Sequence, residues 1–500
     1  MLRSRNRSLI VPPVMIGQYR CVTDQGNEIQ VLLPSRQRNL SLRDTTPWRN
    51  DTLPEWLRWQ ECLHATPIEL CLDRCIAVAE RMGLLTPPFS VVTIAGTNGK
   101  GSSATMLDLI FRHAGYRVGK YMSPHLLRYN ERICADGQEI TNQGLCEAFN
   151  RVDGARGNIS LTYFEFGTLA ALDYFMRSNI DIAILEVGLG GRLDAVNMLD
   201  ADVALLTTVD LDHEYWLGVD RERIGREKAG IFRPNRPAIC ADPNPPGSVM
   251  DVAASERTDL SIAGNDFSIS LNGDTEWNWS GKRLKFDSLP IPDPHHEKQL
   301  QNAAGVLGVV EAMLDRWPVP EHALRRALSE FDLPGRFQII NHRVPIILDV
   351  AHNPQAVAVL AENLRRLPCS GKTHVVIGML KDKNHLAIVQ LLSEITDQWY
   401  VSSLPGDRGT EAKQLSAVLR CIIPTQCMGM YANVETALSA AIAMASPGDR
   451  VVVTGSFLTV GAALQWLDAE VRKCLQEGPG DSIPDLSMHT LKVAAALRRG

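Results

Sequence analysis

The run Val91-Val92-Thr93-Ile94-Ala95, followed at once by Gly96-Thr97-Asn98-Gly99-Lys100-Gly101-Ser102, constrains this chain more than any other feature. Four β-branched residues and an alanine read as a buried strand, and the glycines allow a tight turn. Leu107, Ile110, Phe111 and Ala114 then recur at the i, i+3, i+4, i+7 spacing of a helix laid on a sheet. A strand, a glycine turn and a helix N-terminus aim backbone N–H groups and the positive end of a helix dipole at one point, which suits a phosphate chain. Lys100 is placed to reach the outer phosphates. The general phosphate-loop pattern GxxxxGK[ST] is not fully met, because Ile94 stands at its first glycine and Gly101 separates Lys100 from Ser102. A glycine turn before a helix can also be only a connection, so the loop needs company.

The rest of the chain alternates β-branched runs with helical patterns, the signature of βα units and a mainly parallel sheet. Strands are expected at Val91–Ala95, Ile182–Val187, Val203–Val209, Ile346–Val350, His374–Ile377, Trp399–Ser402 and Val451–Thr454. They fall into two groups, before Pro237 and after Val344, so two α/β domains are expected, joined near Leu333–Arg343. Between the groups, Asp266–Pro294 carries Trp277, Trp279 and many turn residues and reads as a hairpin insertion, followed by a helix over Glu297–Arg316. The first 49 residues hold eight Arg and no Lys in a broken apolar pattern, and the end from about Glu477 is rich in Gly, Pro and Ser before a short helical pattern at Leu491–Leu497. Both ends read as peripheral.

Length and charge narrow the function classes. Five hundred residues exceed one ordinary core, at roughly 150 residues per domain. Lys and Arg number 51 against 57 Asp and Glu, a net charge of −6. Such a chain is a poor binder of polyanions, which draw on clustered Lys and Arg, so neither nucleic acid nor a membrane surface is an expected partner. The longest weakly polar stretch, Ala437–Ala445, is far short of the roughly 20 residues that span a bilayer. Eleven cysteines, an odd number without a CxxC, support neither a disulfide framework nor a zinc ribbon. With no secretory signal pattern at the N-terminus, reduced thiols in a cytoplasm are expected.

The phosphate loop finds its company in two strand ends. Glu186 closes the run Ile182–Glu186, and Asp210, Asp212 and His213 follow Ala204–Val209. Open α/β sheets bind ligands at that edge. A carboxylate and an imidazole there are hard or borderline donors for a divalent cation beside phosphates. Taken singly, Glu186 also reads as a satisfied buried carboxylate and His213 as a helix cap.

Longer strings go further. GTNGKGS, YMSPHLLRYNERI, LTYFEFGTLAAL, LEVGLGGRLDAVN, DHEYWLG, GREKAGIF, QLQNAAG, LPGRFQ, LDVAHNP and GMLKDKN occur in an order that resembles the bacterial dihydrofolate synthase/folylpolyglutamate synthase family, a branch of the Mur ligase superfamily. The resemblance runs from about Trp56 to Trp466. It implies a two-domain architecture: an N-terminal extension over 1–45, a P-loop ATPase domain over 46–338, a Rossmann-like ligase domain over 339–476, and a tail over 477–500. It implies an ATP-dependent amide ligase that works through an acyl phosphate, joining L-glutamate to 7,8-dihydropteroate and to the γ-carboxylate of reduced folates. Both activities are expected, with tail extension alone as the alternative. A monomer is expected, and potassium dependence is left open.

The resemblance also assigns residues. Thr97, Asn98, Gly99, Lys100, Gly101 and Ser102 line the ATP phosphates, and Asn302, Arg336 and Asp349 hold ATP from the hinge and second domain. Ser123 and Glu186 match a first magnesium site and His213 a second. His352 faces the phosphate or acyl phosphate. The pterin pocket draws on Thr162, Tyr163, Phe164 and Glu165, on Leu193, Asp194 and Ala195, and on Pro67, Ile68, Glu69 and Leu70. Lys228 matches a lysine that carries a carbamate in the superfamily; from the residues alone it reads as a lysine salt-bridged beside Glu227. Gly455–Val460 resembles a segment near the glutamate pocket. Asn384, where the family commonly has an acid, and Glu214 with Tyr215 depart from the pattern.

Two rivals are weaker. A Mur-type ligase acting on a uridine nucleotide normally carries a further N-terminal domain, where this chain has about 45 weakly structured residues before the matched body. A nucleotide-binding protein that is not a ligase leaves LPGR, DVAHNP and the second domain without a task.

Overall fold

The computed structural model describes residues 52–292, 297–423 and 427–477, together with Cys21–Val22 and Glu28–Ile29. Met1–Trp48 form one compact unit and Arg49–Gly500 another. In the first, β1 (Cys21–Val22) pairs antiparallel with β2 (Glu28–Ile29). The helical pattern at Leu491–Leu497 lies outside the described residues.

The second unit carries two large, mainly parallel sheets and a small antiparallel one. The larger contains β3 (Ser90–Ala95), β4 (Val118–Tyr121), β5 (Ile133–Ala135), β6 (Gln138–Glu139), β7 (Ile182–Glu186), β8 (Val203–Leu206), β9 (Pro237–Cys240) and β10 (Asp259–Ile262). Its spatial order is β10-β9-β8-β3-β7-β4-β5-β6, parallel from β10 to β4, with β5 and β6 antiparallel. β3 therefore sits in the middle. Successive side chains of a strand face opposite ways, and Val91 and Ala95 enter one buried cluster while Val92 and Ile94 enter another. Both faces are covered, which is why the strand reads as an unbroken apolar run.

The insertion is a three-stranded meander rather than the expected hairpin: β11 (Ser268–Asn272), β12 (Glu276–Ser280) and β13 (Lys285–Pro290) pair antiparallel. Trp277 and Trp279, two apart on β12, are both fully buried on one face. Trp279 Nε1 donates to the Ala304 carbonyl at 3.1 Å, on the helix Glu297–Ala312. Polar hydrogens are thus satisfied where two indoles are sealed in.

The second sheet holds β14 (Gln338–Ile340), β15 (Ile346–Leu348), β16 (Thr373–Ile377), β17 (Gln398–Ser402), β18 (Cys427–Tyr431) and β19 (Arg450–Thr454). Its order is β14-β15-β19-β16-β17-β18, parallel apart from β14. It too is buried on both faces, with Ile346 and Leu348 in one cluster and Ile347 in another.

The loops that follow β3, β7 and β8 in one sheet, and β15, β16 and β19 in the other, all leave from carboxyl ends, the edge where parallel sheets take ligands. Cross-sheet contacts bring those edges face to face. Asn98, after β3, donates to Gln355 Oε1 at 2.5 Å, and Lys383, after β16, donates to Asp212 at 2.7 Å. Among the described residues no helix is long and apolar enough to cross a membrane.

Candidate active site

The turn after β3 is built around glycine. Gly96 and Gly99 have φ of +150° and +90°, and a Cβ on Gly99 would stand 2.2 Å from Asn302 Oδ1. Only glycine lets the helix Glu297–Ala312 press Asn302 against the loop, which brings two distant sequence expectations to one point. The helix Lys100–His113 starts at the turn, so its free N–H groups open into the cavity. Thr97 Oγ1 donates to the Asp210 carbonyl at 2.9 Å and accepts from the Asp210 N–H at 3.0 Å. Lys100 Nζ donates to the carbonyls of Gly96 and Thr97 at 3.0 and 3.3 Å. Thr97 through Ser102 line one cavity together with Asn302, Arg336, Asp349 and His352. Asp349 accepts from the N–H groups of Phe337 and Ala351 at 2.9 and 2.8 Å. Arg336 follows Gly335, and its guanidinium lies 5.2 Å from the Phe457 ring.

Glu186, Ser123, His213 and Lys228 line the same cavity. Burial holds the Glu186 carboxyl above its ordinary value, opposed by Lys100 and by the Ser123 N–H that donates to it at 3.2 Å. His213 stands at the N-cap of the turn Glu214–Leu217, but its side chain makes no cap hydrogen bond. Burial, which outweighs the pull of Asp212, lowers its imidazole to about 3, so it is a neutral donor. No group of three or more His, Cys, Asp or Glu able to hold a metal occurs among the described residues. Glu186 and the Ser123 hydroxyl are hard oxygen donors and the His213 imidazole a borderline one.

Lys228 is not the salt-bridged lysine that its neighbour suggested. Glu227 takes Arg192 in a fork at 2.8 and 3.2 Å, while Lys228 Nζ donates to the Gly96 carbonyl at 2.9 Å. Burial, with Lys100 nearby, lowers its ammonium to about 7.

A second cavity of about 420 Å³ opens beside the first, lined by Pro67–Leu70, by Thr162, Phe164 and Glu165, and by Leu193–Ala195. Three remote segments expected to form one pocket do meet. Thr162 caps the helix Tyr163–Arg177, and Glu165 completes a capping box by accepting the Thr162 N–H at 2.7 Å. The other Glu165 oxygen accepts from Arg74 at 3.0 Å, and Arg74 also holds Glu69 at 2.7 Å. Tyr163 is not on the wall; its ring sits edge-on to Tyr129, with the centroids 5.6 Å apart, beneath the Arg132 guanidinium. Asp194 is buried at the wall, accepting the N–H groups of Leu189 and Val196 at 2.8 and 3.1 Å. Burial pushes its carboxyl up to about 7 despite those bonds.

Residues 335–457 match the family described as Mur ligase, glutamate ligase domain. A dihydrofolate synthase/folylpolyglutamate synthase of Escherichia coli (strain K12) is 43% identical over 427 residues, covering 85% of this chain and 97% of that one. The chain belongs to the dihydrofolate synthase/folylpolyglutamate synthase family. Structures within this family agree in fold. E. coli FolC in complex with DHPP and ADP gives a TM-score of 0.79 at 43% identity, covering 85% of this chain and all (100%) of that one. A bifunctional folylpolyglutamate synthase/dihydrofolate synthase with Mn, AMPPNP and L-Glutamate bound gives 0.78 at 43%, with the same coverage of 85% and 100%.

Several residues in or beside the two cavities carry no individual signal in the sequence. Lys383, Asn353 and Gln355 lie in or beside strings already marked, GMLKDKN and DVAHNP, yet nothing in a string says which of its side chains will meet the other sheet. Arg408, on the acceptor wall, carries no local signal at all. Phe457, in the segment that resembles one near the glutamate pocket, begins the helix Phe457–Glu477 and lines both cavities. Asn384 caps the helix His385–Ser393 by accepting the Ala387 N–H at 3.1 Å, a structural task that an acid would also meet.

Proposed function

We propose that this chain joins L-glutamate to 7,8-dihydropteroate, forming dihydrofolate, and to the γ-carboxylate of reduced folates, at the expense of ATP. The observation that carries the reading is convergence. The nucleotide-type cavity and the 420 Å³ cavity share Ser123, Pro124, His213, His352 and Phe457, so a carboxylate reaching in from one meets a terminal phosphate held in the other.

The acceptor carboxylate attacks the γ-phosphorus of ATP, giving an acyl phosphate and ADP. The α-amine of glutamate then attacks the acyl carbon, expelling phosphate and leaving an amide. Both partners of the first step are anions, so positive charge must stand between them. Lys100 and the N–H groups of Gly99–Ser102 cradle the phosphates, and Arg336, beside the hinge, supplies charge from the second sheet. Asn302 and Asp349 seat the nucleotide, and His352, which burial and Lys383 hold near pKa 4, is a neutral imidazole beside the reacting carboxylate. Divalent magnesium, when bound at Ser123 and Glu186 and at His213, would neutralise phosphate charge. Pro67–Leu70, Thr162, Phe164 and Asp194 wall in the pterin and exclude water, and a carboxyl with a pKa near 7 suits the amino and oxo edge of that ring.

Lys228 carries a carbamate in this reading, supported by an amine that is about half neutral near pH 7 and faces the metal-side wall. Gently prepared protein with bicarbonate should carry an extra roughly 44 Da by intact mass, and Lys228→Met should not; the unmodified mass for wild type both with and without bicarbonate would remove the carbamate.

The deciding experiment measures ADP release with MgATP and glutamate, adding dihydropteroate or tetrahydrofolate, and weighs the products. Release that needs glutamate and either acceptor is expected, with one glutamyl unit added to each. Turnover with tetrahydrofolate alone would reduce the activity to tail extension.

A further inference from the structure

One carboxylate of the larger sheet is held almost entirely by loops of the other. Asp212 follows β8, and its side chain is only 10% exposed. Its Oδ1 accepts from Lys383 Nζ at 2.7 Å, and Oδ2 accepts from Asn353 Nδ2 at 3.1 Å with His352 Nε2 3.7 Å away. Lys383 and His352 belong to the loops after β16 and β15, and Asn353 caps the helix Pro354–Arg366. Lys383 is just 5% exposed along its side chain. An ammonium so sealed is costly without an anion against it, and Asp212 is that anion.

Lys383 and His352 both line the acceptor cavity, Asp212 lines the neighbouring nucleotide cavity, and Asn353 ties both Asp212 and the phosphate-loop Asn98 to the second sheet. We infer that Asp212 is a positioning residue. It draws Lys383 across the junction of the two sheets and fixes the ammonium where the acceptor cavity meets the reacting phosphate, so it acts on ligation more than on nucleotide binding. This deepens the ligase reading and rests on it. The carboxylate enters no bond-making step, since its oxygens are spent on Lys383, Asn353 and the His213 N–H at 2.8 Å.

The test is a double-mutant cycle in the full chain: Asp212→Asn, Lys383→Met and both together. Each single variant should lose at least about tenfold in kcat/KM for dihydropteroate, while the Kd for a non-hydrolysable ATP analogue stays within about threefold of wild type. The double variant should be no more than about threefold below the worse single one, because each change breaks the same pair. Wild-type ligation by D212N, losses that multiply, or an analogue Kd that weakens as much as ligation slows would each overturn the assignment. Should D212N not fold, K383M alone decides: tenfold loss with analogue binding kept supports the pair, and an unchanged rate removes it. A wild-type protein that ligates nothing would instead sink the ligase reading.

Discussion

At the scale of single residues, the site is an arrangement of charges kept from water. Lys100 has its ammonium turned onto the Gly96 and Thr97 carbonyls, and burial lowers it against the pull of Glu186 and Asp212. Its donors thus stand on the backbone of the loop that would cradle phosphate oxygens. Lys100→Ala should cut ligation by at least about a hundredfold, as removal of one preorganised charge or donor does elsewhere; a wild-type rate of ADP release would show that it is not at the phosphates. Asp194 gives a pH signature. Its folded pKa of about 7 lies above the ordinary 3.8, so the folded chain keeps a proton that the unfolded chain releases. The stability it contributes is full below about 4 and is lost as pH rises to about 7. The urea midpoint of Asp194→Asn should therefore fall less between pH 5 and pH 8 than that of wild type, and parallel slopes would show that Asp194 titrates normally.

At the scale of elements, what was legible was what local chemistry dictates. The strand, turn and helix over 90–113 followed from β-branched residues, glycines and a helical stripe, and the structure has them. The short strands β4, β9, β10 and β18 were not anticipated. Val118–Tyr121 includes a glycine and a lysine, Pro237–Cys240 opens on proline, and β10 lies at the sheet's edge, so tertiary pairing overrode weak propensity. The third strand of the insertion, Lys285–Pro290, was masked by its charges. Of the site, the phosphate loop, Glu186 and the three acceptor segments were readable as strings, whereas the Asp212–Lys383 pairing, spanning 171 residues, had no local sign. The Gly99 turn is the element most sensitive to change. Gly99→Ala would force a side chain into left-handed backbone and against Asn302. ATP-analogue affinity should fall more than tenfold, while circular dichroism stays native; unchanged affinity would mean that the loop does not seat phosphate.

At the scale of the whole molecule, the compact unit Arg49–Gly500 contains both sheets and all the residues of the site. A chain beginning at Arg49 should ligate within about twofold of the full chain, and a larger loss would assign the first 48 residues a part in catalysis. The acceptor wall has a place of its own in this plan. Pro67–Leu70 belongs to neither sheet but joins the helices Leu53–Leu63 and Asp73–Met82. It is moored by few ties: Arg74 to Glu69 and Glu165, and His64, whose ring nitrogens lie 2.9 Å from Ser160 Oγ and 2.6 Å from Glu69. This stretch of the wall thus has a foundation separate from that of the loop after β3. Selection can recut the first for a different ring system while the second, seated in the middle of a sheet buried on both faces, stays as it is.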